Sequence, residues 1–318
     1  MTRGSGWIRG ASAIGYGCVP VDADQAPVHV SSDTVPGPCD LATRQNVMAM
    51  PNVRSQRLNS HSPTIGVVPR LLLINPNTSE SMTTLLMRHA RAELSPDIDV
   101  VPATARFGAR VIASESAFAI AAHATLDVYA SNPGPWNAVL LACFGDPALH
   151  ALREISPAPV VSFADAAMAE AVSRMGESGR FAIVTGGVGW GPMLARLAAM
   201  LGYAHALAGV LTLSIDGGQI AANQDGAMTA LKRAVDQAVE RYAARTVILG
   251  GAGLAGLAAR LQSQAPVPLI DSVLVGLRRA GELAREHAQG RVASAPARES
   301  LATQGLSRDL ERLLGEAT

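Results

Sequence analysis

From Pro69 onward, the chain repeats one pattern: an apolar run, a turn of small or polar residues, and a longer segment with apolar residues at helical spacing. RLLLINPNTS at residues 70–79 predicts a buried strand and a turn, and SMTTLLMRHARAEL predicts the helix that follows. The pattern recurs in NAVLLACFGDPAL, APVVSFADAAMAEAV, GRFAIVTGGVGWGPML and TVILGGAGLAGLAARL. Strands that alternate with helices predict an α/β fold in which helices cover both faces of parallel sheets.

The spacing also predicts where several helices lie. An Ala-rich helix is expected over about 111–130, a helix directly after the FGDP turn at 144–147, and one long helix over about 226–244. SRDLERLLGEA near the C-terminus predicts only a weak amphipathic helix.

The turns at the strand ends form an internal repeat. Asn77 precedes Cys143 by 66 positions (143 − 77), and Thr185 precedes Gly251 by the same 66 (251 − 185), so the two pairs are offset by 108 residues. The repeat predicts two similar parallel-sheet units related by a pseudo-twofold. Because ligands bind at the carboxyl ends of parallel strands, we expect an active site in the cleft between the units. In this register Gly251 is the counterpart of Cys143.

The same pattern suggests domain boundaries. We assign residues 69–163 plus 270–290 to the first unit, 164–269 to the second and 291–318 to a C-terminal tail. Residues 1–68 hold two of the three cysteines and many Pro, Ser, Gly and Asn residues without a sustained period. We interpret them as a poorly ordered N-terminal extension; the alternative is that the natural start lies at Met48 or Met50.

The stretch VILGGAGLAG at 247–256 raises a competing hypothesis. Gly251, Gly253 and Gly256 stand at G-x-G-x-x-G spacing, and Asp271 follows the first glycine by 20 positions (271 − 251), as in dinucleotide-binding proteins. However, only 67 residues follow Gly251 (318 − 251), too few to complete a dinucleotide-binding sheet. The counterpart loop ACFGDPAL also contains no phosphate loop, so we do not favour an NAD-dependent oxidoreductase. Asp271 is equally well explained as a helix N-cap.

Composition and charge exclude several classes of partner. The 318 residues carry 26 Lys+Arg and 26 Asp+Glu, a net charge of zero that gives no basis for binding nucleic acid or an anionic membrane. No apolar run reaches the roughly 18 residues of a membrane span, and the N-terminus is no ordinary signal peptide. Cys18, Cys39 and Cys143 form no disulfide framework and no metal-ligand spacing. We therefore predict a cytoplasmic protein without a metal.

The strand-end loops carry the candidate chemistry. Cys143 ends an apolar strand before the expected helix, whose positive end would lower the pKa of the thiol and make it available as a base or nucleophile. Asn77 and Thr78 offer side chains, and the helix that starts near Ser79 offers N–H groups, to a carboxylate or imide oxygen; Ser79 also fits a plain N-cap. Asp146 is expected to cap the helix after Cys143. The other predicted substrate-binding residues are Phe144, Gly145, Thr185, Gly186, Gly187, Gly250, Gly251 and Ala252.

These motifs are recognisable together. LLLINPNTSESMT, LLACFGDPAL and VILGGAGLAGL…VPLID resemble the hydantoin racemase branch of the aspartate/glutamate racemase superfamily, and the resemblance extends over about residues 70–286. It implies two α/β units around a cofactor-independent site in which two cysteines exchange a proton at a carbon next to a carbonyl. The first cysteine of the family corresponds to Cys143. The second corresponds to Gly251, which has no group that can exchange a proton.

We therefore predict an isomerase of the hydantoin or amino-acid racemase type with Cys143 as acid/base and no cofactor. The alternatives are a single-cysteine decarboxylase or lyase of the arylmalonate decarboxylase kind and a non-catalytic ligand-binding relative. The expected partner is a small molecule with a carboxylate or imide group, and we expect a homo-oligomer. The segment FGARVIASESAF at 107–118 is expected to shape the pocket; its Arg110 suits a substrate carboxylate, although a surface arginine is the simpler interpretation.

Overall fold

The computed structural model describes residues 68–176, 179–292 and 299–316. All of them belong to one compact unit. Except for Val68, the predicted N-terminal extension lies outside the described residues, as do Met48 and Met50. In the part of the chain that is described, no helix is both long and apolar enough to cross a membrane.

The first sheet is parallel and has the strand order β2-β1-β3-β4. Its strands are β1 (Arg70–Asn75), β2 (Asp99–Thr104), β3 (Ala138–Leu141) and β4 (Val160–Ser162). The helices that follow these strands in turn are α1 (Glu80–Glu93), α2 (Glu115–Ser131), α3 (Leu149–Ile155) and α4 (Phe163–Met175). Residues 71–75 of β1 and all of β3 and β4 are buried, which explains their nearly continuous apolar sequences.

The second sheet is also parallel and repeats this order as β6-β5-β7-β8. Its strands are β5 (Phe181–Gly186), β6 (Leu207–Leu213), β7 (Thr246–Gly250) and β8 (Leu269–Asp271). The associated helices are α5 (Trp190–Met200), α6 (Gly217–Ala222), α7 (Gln224–Tyr242), α8 (Leu257–Leu261) and α9 (Ser272–Ala288), with short 3-10 helices at Ala252–Leu254 and Gln262–Gln264. The helix α10 (Arg308–Gly315) packs against α2. The predicted α/β fold of two similar units is confirmed.

Two helices connect the sheets by exchanging places. The helix α4 follows β4 of the first sheet but packs against β7 of the second, whereas α9 follows β8 of the second sheet and packs against β3 of the first. The two helices also pack against each other, and a Cβ at Gly276 of α9 would lie 2.5 Å from the ring of Phe163. One hydrophobic core therefore includes side chains from both sheets, while a separate core covers the outer face of each.

Several helix boundaries differ from the prediction. The helix α2 begins at Glu115, capped by Ser114, so the segment before it is a loop instead of the expected helical turn. The helix expected after Cys143 is present as α3, but it starts at Leu149 and not within FGDP, because Asp146 (φ 50°) and Ala148 (φ 65°) have left-handed backbones. The single helix expected over 226–244 is α7, which begins earlier, at Gln224. Asn223 is both its N-cap and the residue at which α6 ends.

Candidate functional site

A pocket of about 670 Å³, including its open part, lies at the carboxyl ends of both sheets. In each sheet the strand order reverses between two central strands, β1 and β3 in the first and β5 and β7 in the second. The loops after those strands converge at such a switch point, where ligands bind in open parallel sheets. All four loops contribute to the lining, together with the loop after β6 and residues 110–112.

Most of the predicted site residues line this one pocket. They are Asn77, Cys143, Phe144, Thr185, Gly186, Gly250, Gly251 and Ala252. Thr78, Gly145 and Gly187 do not line it. The N–H of Thr78 donates to the carbonyl of Ala109, and Gly145 packs under the ring of Trp190. Gly187 makes the turn after β5 with a φ of 93°. These three residues shape the walls.

Cys143 is partly exposed to the pocket and enclosed by protein elsewhere. The pKa of its thiol is raised to about 12, mainly by burial and also by the charge of Asp146, while the N–H groups of Gly145 and Asp146 oppose the rise. The expected lowering of the pKa is therefore wrong. Its physical reason is that the cost of desolvating the charged thiolate exceeds the stabilisation from the two N–H groups. The thiol is therefore protonated at neutral pH.

Asp146 caps a different helix from the one expected. Its carboxylate accepts hydrogen bonds from Ser162 Oγ (2.7 Å) and from the N–H groups of Ala164 (3.2 Å) and Asp165 (3.1 Å), at the start of α4. Burial raises the pKa of Asp146 to about 7, against these hydrogen bonds, and the charge of Asp165 contributes to the rise. The side chain thus holds the thiol loop (residues 142–148, between β3 and α3) against α4, the helix that crosses to the second sheet.

The thiol loop touches the glycine loop of the second unit (residues 250–256, from the end of β7 to α8). A Cβ at Gly250 would lie 2.2 Å from Cε1 of Phe144, so only glycine lets the aromatic ring pack here. Phe144 is the neighbour of Cys143, and Gly250 is the neighbour of Gly251. The contact therefore brings the thiol and its repeat counterpart to the same pocket from opposite sheets.

Gly251 has a backbone that side chains disfavour. Its φ and ψ are 121° and 148°, and its N–H donates to Ser272 Oγ at 3.1 Å. A Cβ built there would meet Leu254 Cδ1 at 3.7 Å and Thr185 Oγ1 at 3.8 Å, which are ordinary contacts. The pocket has room for a side chain at this position, but the backbone conformation selects glycine.

The polar groups around the thiol have defined partners. The side-chain oxygen of Asn77 accepts from the N–H of Ser79 (2.9 Å), and Ser79 caps α1, as the N-cap interpretation proposed. Within the described residues, Nδ2 of Asn77 makes no hydrogen bond and is available to a ligand. Thr185, one of the predicted substrate-binding residues, donates its Oγ1 hydrogen to the carbonyl of Gly250 (2.7 Å) and ties β5 to the glycine loop.

Sequence reasoning missed part of the lining. Met82, Trp190, Asp216, Gly217, Gly218, Gly253 and Leu254 line the pocket. Asp216 ends the loop after β6, the position at which a parallel strand presents its carboxyl end, and the SIDGG pattern there is the signal that would have found it. Arg110, Val111 and Ile112 also line the pocket, in keeping with the prediction for the segment 107–118. Arg110 is exposed, and within the described residues it makes no ion pair.

The dinucleotide hypothesis does not fit the geometry. One carboxylate oxygen of Asp271 accepts from the N–H groups of Val273 and Leu274, and the other from that of Gly256 (2.6 Å). Asp271 is therefore the N-cap of α9, as the alternative interpretation held, and its buried carboxylate is not available to a ribose. In the described part of the chain, no three His, Cys, Asp or Glu side chains are placed to hold a metal ion.

Comparisons with known proteins agree with one another. The family model described as Asp/Glu/Hydantoin racemase matches residues 71–280. A hydantoin racemase of Paenarthrobacter aurescens is 29% identical over 218 residues, which cover 67% of this chain and 90% of that protein. A hydantoin racemase of Pseudomonas sp. (strain NS671) is 28% identical over 220 residues, covering 66% and 83%.

Solved structures show the same relationship. The allantoin racemase from Pseudomonas fluorescens is similar with a TM-score of 0.66 and 26% identity, over 76% of this chain and 96% of that one. The allantoin racemase from Klebsiella pneumoniae has a TM-score of 0.65 and 27% identity, over 74% and 97%.

Proposed function

We propose that this chain, which belongs to the Asp/Glu/hydantoin racemase family, racemises a cyclic imide of the hydantoin type without a cofactor, using Cys143 as acid/base. As a member of this family it is an isomerase that acts on a small molecule. The finer proposal concerns the substrate, which we infer from the hydantoin and allantoin racemases among its relatives. These relatives do not favour the decarboxylase alternative.

The observation that carries the proposal is that Cys143 and the glycine loop, which holds its repeat counterpart Gly251, line the same pocket. Removing a proton from the ring carbon next to a carbonyl produces an enolate, whose planar carbon accepts a proton on either face. Because the pKa of Cys143 is raised, its thiol is ready to deliver that proton. Delivery to the face opposite the one that lost a proton inverts the carbon.

The remaining lining suits a neutral, polar ring. The N–H groups of Ala252 and Gly253 lie in the first turn of a 3-10 helix and have no partner within it, so they are available to the enolate oxygen. Asn77 Nδ2 is a further donor. We propose that the substrate contacts are made by Asn77, Phe144, Thr185, Gly186, Gly250, Gly251 and Ala252, with Thr78, Gly145 and Gly187 supporting them.

The test is racemisation of the separate enantiomers of 5-benzylhydantoin and of allantoin, followed by circular dichroism and corrected for the rate without enzyme. We expect activity in both directions, with solvent deuterium appearing at the ring carbon. Cys143→Ala should lower the rate by at least about 100-fold, the usual contribution of a general acid or base. The matched control is the double variant Cys18→Ala/Cys39→Ala, which retains Cys143 as the only thiol and should retain the rate.

Two results would contradict the proposal. If Cys143→Ala racemised both compounds at the unaltered rate, the thiol would not be the acid/base. If phenylmalonate lost carbon dioxide while neither hydantoin exchanged its proton, the decarboxylase alternative would replace it.

We also propose a cytoplasmic homo-oligomer. The odd, sparse set of cysteines supports a reducing compartment. Exposed apolar side chains at Ile120, Val188 and Met200 support association between copies. Cell fractionation and light scattering on the purified protein test these two proposals separately.

A further inference from the structure

We propose that Asp216 supplies the second acid/base, acting on the face of the substrate opposite Cys143. This inference rests on the proposed function and deepens it. Racemisation needs one group on each face of the reacting carbon, and Gly251 has no side chain to serve as the second.

Asp216 is the remaining proton-transfer group among the described residues that line the pocket. The other ionisable side chain there is Arg110, which stays protonated and can only donate hydrogen bonds. The hydroxyl of Thr185 already donates to Gly250. A carboxylate, in contrast, accepts a proton directly, as general bases in enzymes commonly do.

Two glycine contacts hold Asp216 on the side of Gly251. A Cβ at Gly253 would lie 1.9 Å from the carbonyl oxygen of Gly217, so the residue after Asp216 rests directly on the glycine loop. A Cβ at Gly186 would lie 3.1 Å from the carbonyl carbon of Asp216, so the end of β5 packs against the backbone of Asp216. Cys143 enters the pocket from the first sheet, whereas Asp216 enters from the second.

The carboxylate is oriented and still has a free oxygen. Oδ1 accepts from the N–H of Gln219 at 2.9 Å, and the N–H of Asp216 donates to Oε1 of Gln219 at 2.9 Å, a reciprocal capping box at the start of α6. Within the described residues, Oδ2 makes no hydrogen bond. The cap fixes the side chain by one oxygen and leaves the other for the substrate.

The proton transfers balance without a co-reactant. The carboxylate of Asp216 takes the proton from the ring carbon, and the C–H electron pair forms the enolate. The thiol of Cys143 then gives its proton to the opposite face of that carbon, which leaves a thiolate and a protonated Asp216. In the reverse reaction the thiolate of Cys143 takes the proton and the protonated Asp216 delivers one. Proton exchange with water returns the two groups to the thiol and the carboxylate.

The test compares Asp216→Asn with Cys143→Ala, using each enantiomer of 5-benzylhydantoin in deuterium oxide. Asparagine keeps the N-cap oxygen but cannot take a proton. We expect both variants to lose at least about 100-fold of the racemisation rate. Each should still exchange the ring proton of one enantiomer with retention of configuration, and the two variants should act on opposite enantiomers. Exchange by Asp216→Asn should be the slower of the two and should rise with pH, because its thiol must first lose a proton. A merely structural role of Asp216 would not produce this opposite selectivity.

The matched control is Asp225→Asn, the same change at an exposed carboxylate on α7 that does not line the pocket; it should retain the rate. Racemisation by Asp216→Asn at the unaltered rate would overturn the inference and leave water as the second base. Exchange of the same enantiomer by both variants would also overturn it. If the unaltered protein neither racemised nor exchanged either enantiomer, the proposed function itself would fail, which is a distinguishable outcome.

Discussion

The conformation of Gly251 makes a prediction that separates backbone strain from crowding. In Gly251→Ala the new methyl group meets only ordinary contacts, at 3.7 Å and 3.8 Å. The φ of 121° and ψ of 148°, however, lie close to a region that only glycine occupies readily. Any loss of stability therefore comes from the backbone and not from overlap of atoms.

The magnitude follows from two opposing effects. Holding a residue with a side chain in such a conformation costs about 1–3 kcal/mol. The same substitution restricts the unfolded chain and offsets about 0.4–1 kcal/mol of that cost. We therefore expect Gly251→Ala to lower the free energy of unfolding by up to about 2.6 kcal/mol.

A control in the same pocket isolates the strain. Gly217 has open space at its Cβ position and no positive φ, and it begins the helix α6. Gly217→Ala should raise the free energy of unfolding by about 0.4–1 kcal/mol, since the unfolded chain is restricted at no cost to the native state. Because both variants share the unfolded-state effect, the difference between them measures the strain alone, about 1–3 kcal/mol.

Urea unfolding followed by circular dichroism measures this difference, provided that the m-value is unchanged. The corresponding gap in Tm is about 2–4 °C per kcal/mol for a protein of this size. Equal midpoints for the two variants would refute the reasoning, because they would show that the loop relaxes without cost and that its conformation does not select glycine.

Three further predictions concern charge in and around the site. Burial raises the pKa of Asp146 from 3.8 to about 7, so the native state holds a proton that the unfolded state has released. Its contribution to the free energy of unfolding should be complete below pH 3.8 and be lost as the pH rises to about 7. Asp146→Asn should remove this dependence of the free energy of unfolding on pH, measured by urea unfolding at several pH values. The same pH dependence in the variant would show that the raised pKa does not belong to Asp146. Because the pKa of Cys143 is about 12, its alkylation by iodoacetamide should rise about tenfold per pH unit from pH 7 to 9, whereas a plateau in that range would indicate a lowered pKa. Arg110→Gln should raise KM for 5-carboxymethylhydantoin about 2- to 5-fold, which corresponds to the free energy of an exposed ion pair. KM for 5-benzylhydantoin, which has no carboxylate, should be unchanged. An equal rise for both compounds would show that Arg110 does not bind the carboxylate.

Much of the fold follows from local pattern. Buried parallel strands need apolar residues on both faces, so RLLLIN and TVILG identify β1 and β7 directly. The 66-residue spacing placed Cys143 and Gly251 at equivalent loops, and both line one pocket. The resemblance in the motifs led to the family that the family model also identifies.

Other features depended on contacts between distant residues. Apolar spacing indicates that α4 and α9 each bury a face, but it does not say which sheet covers that face, and the two helices exchange sheets. Because Asp146 and Ala148 have left-handed backbones, α3 begins after them. Neither residue is a glycine, so the sequence did not indicate this turn.

The sequence by itself determined the alternation of strands and helices, the internal repeat and the presence of one thiol at a strand end, because these depend on the order and type of neighbouring residues. Only the tertiary structure decided the pKa of that thiol and brought a carboxylate into the same pocket. The pKa of Cys143 is set by burial and by the charge of Asp146, and Asp216 reaches the pocket because Gly186 and Gly253 let its loop approach. Desolvation and close approach are properties of packed atoms, and residue spacing along a chain does not encode them directly.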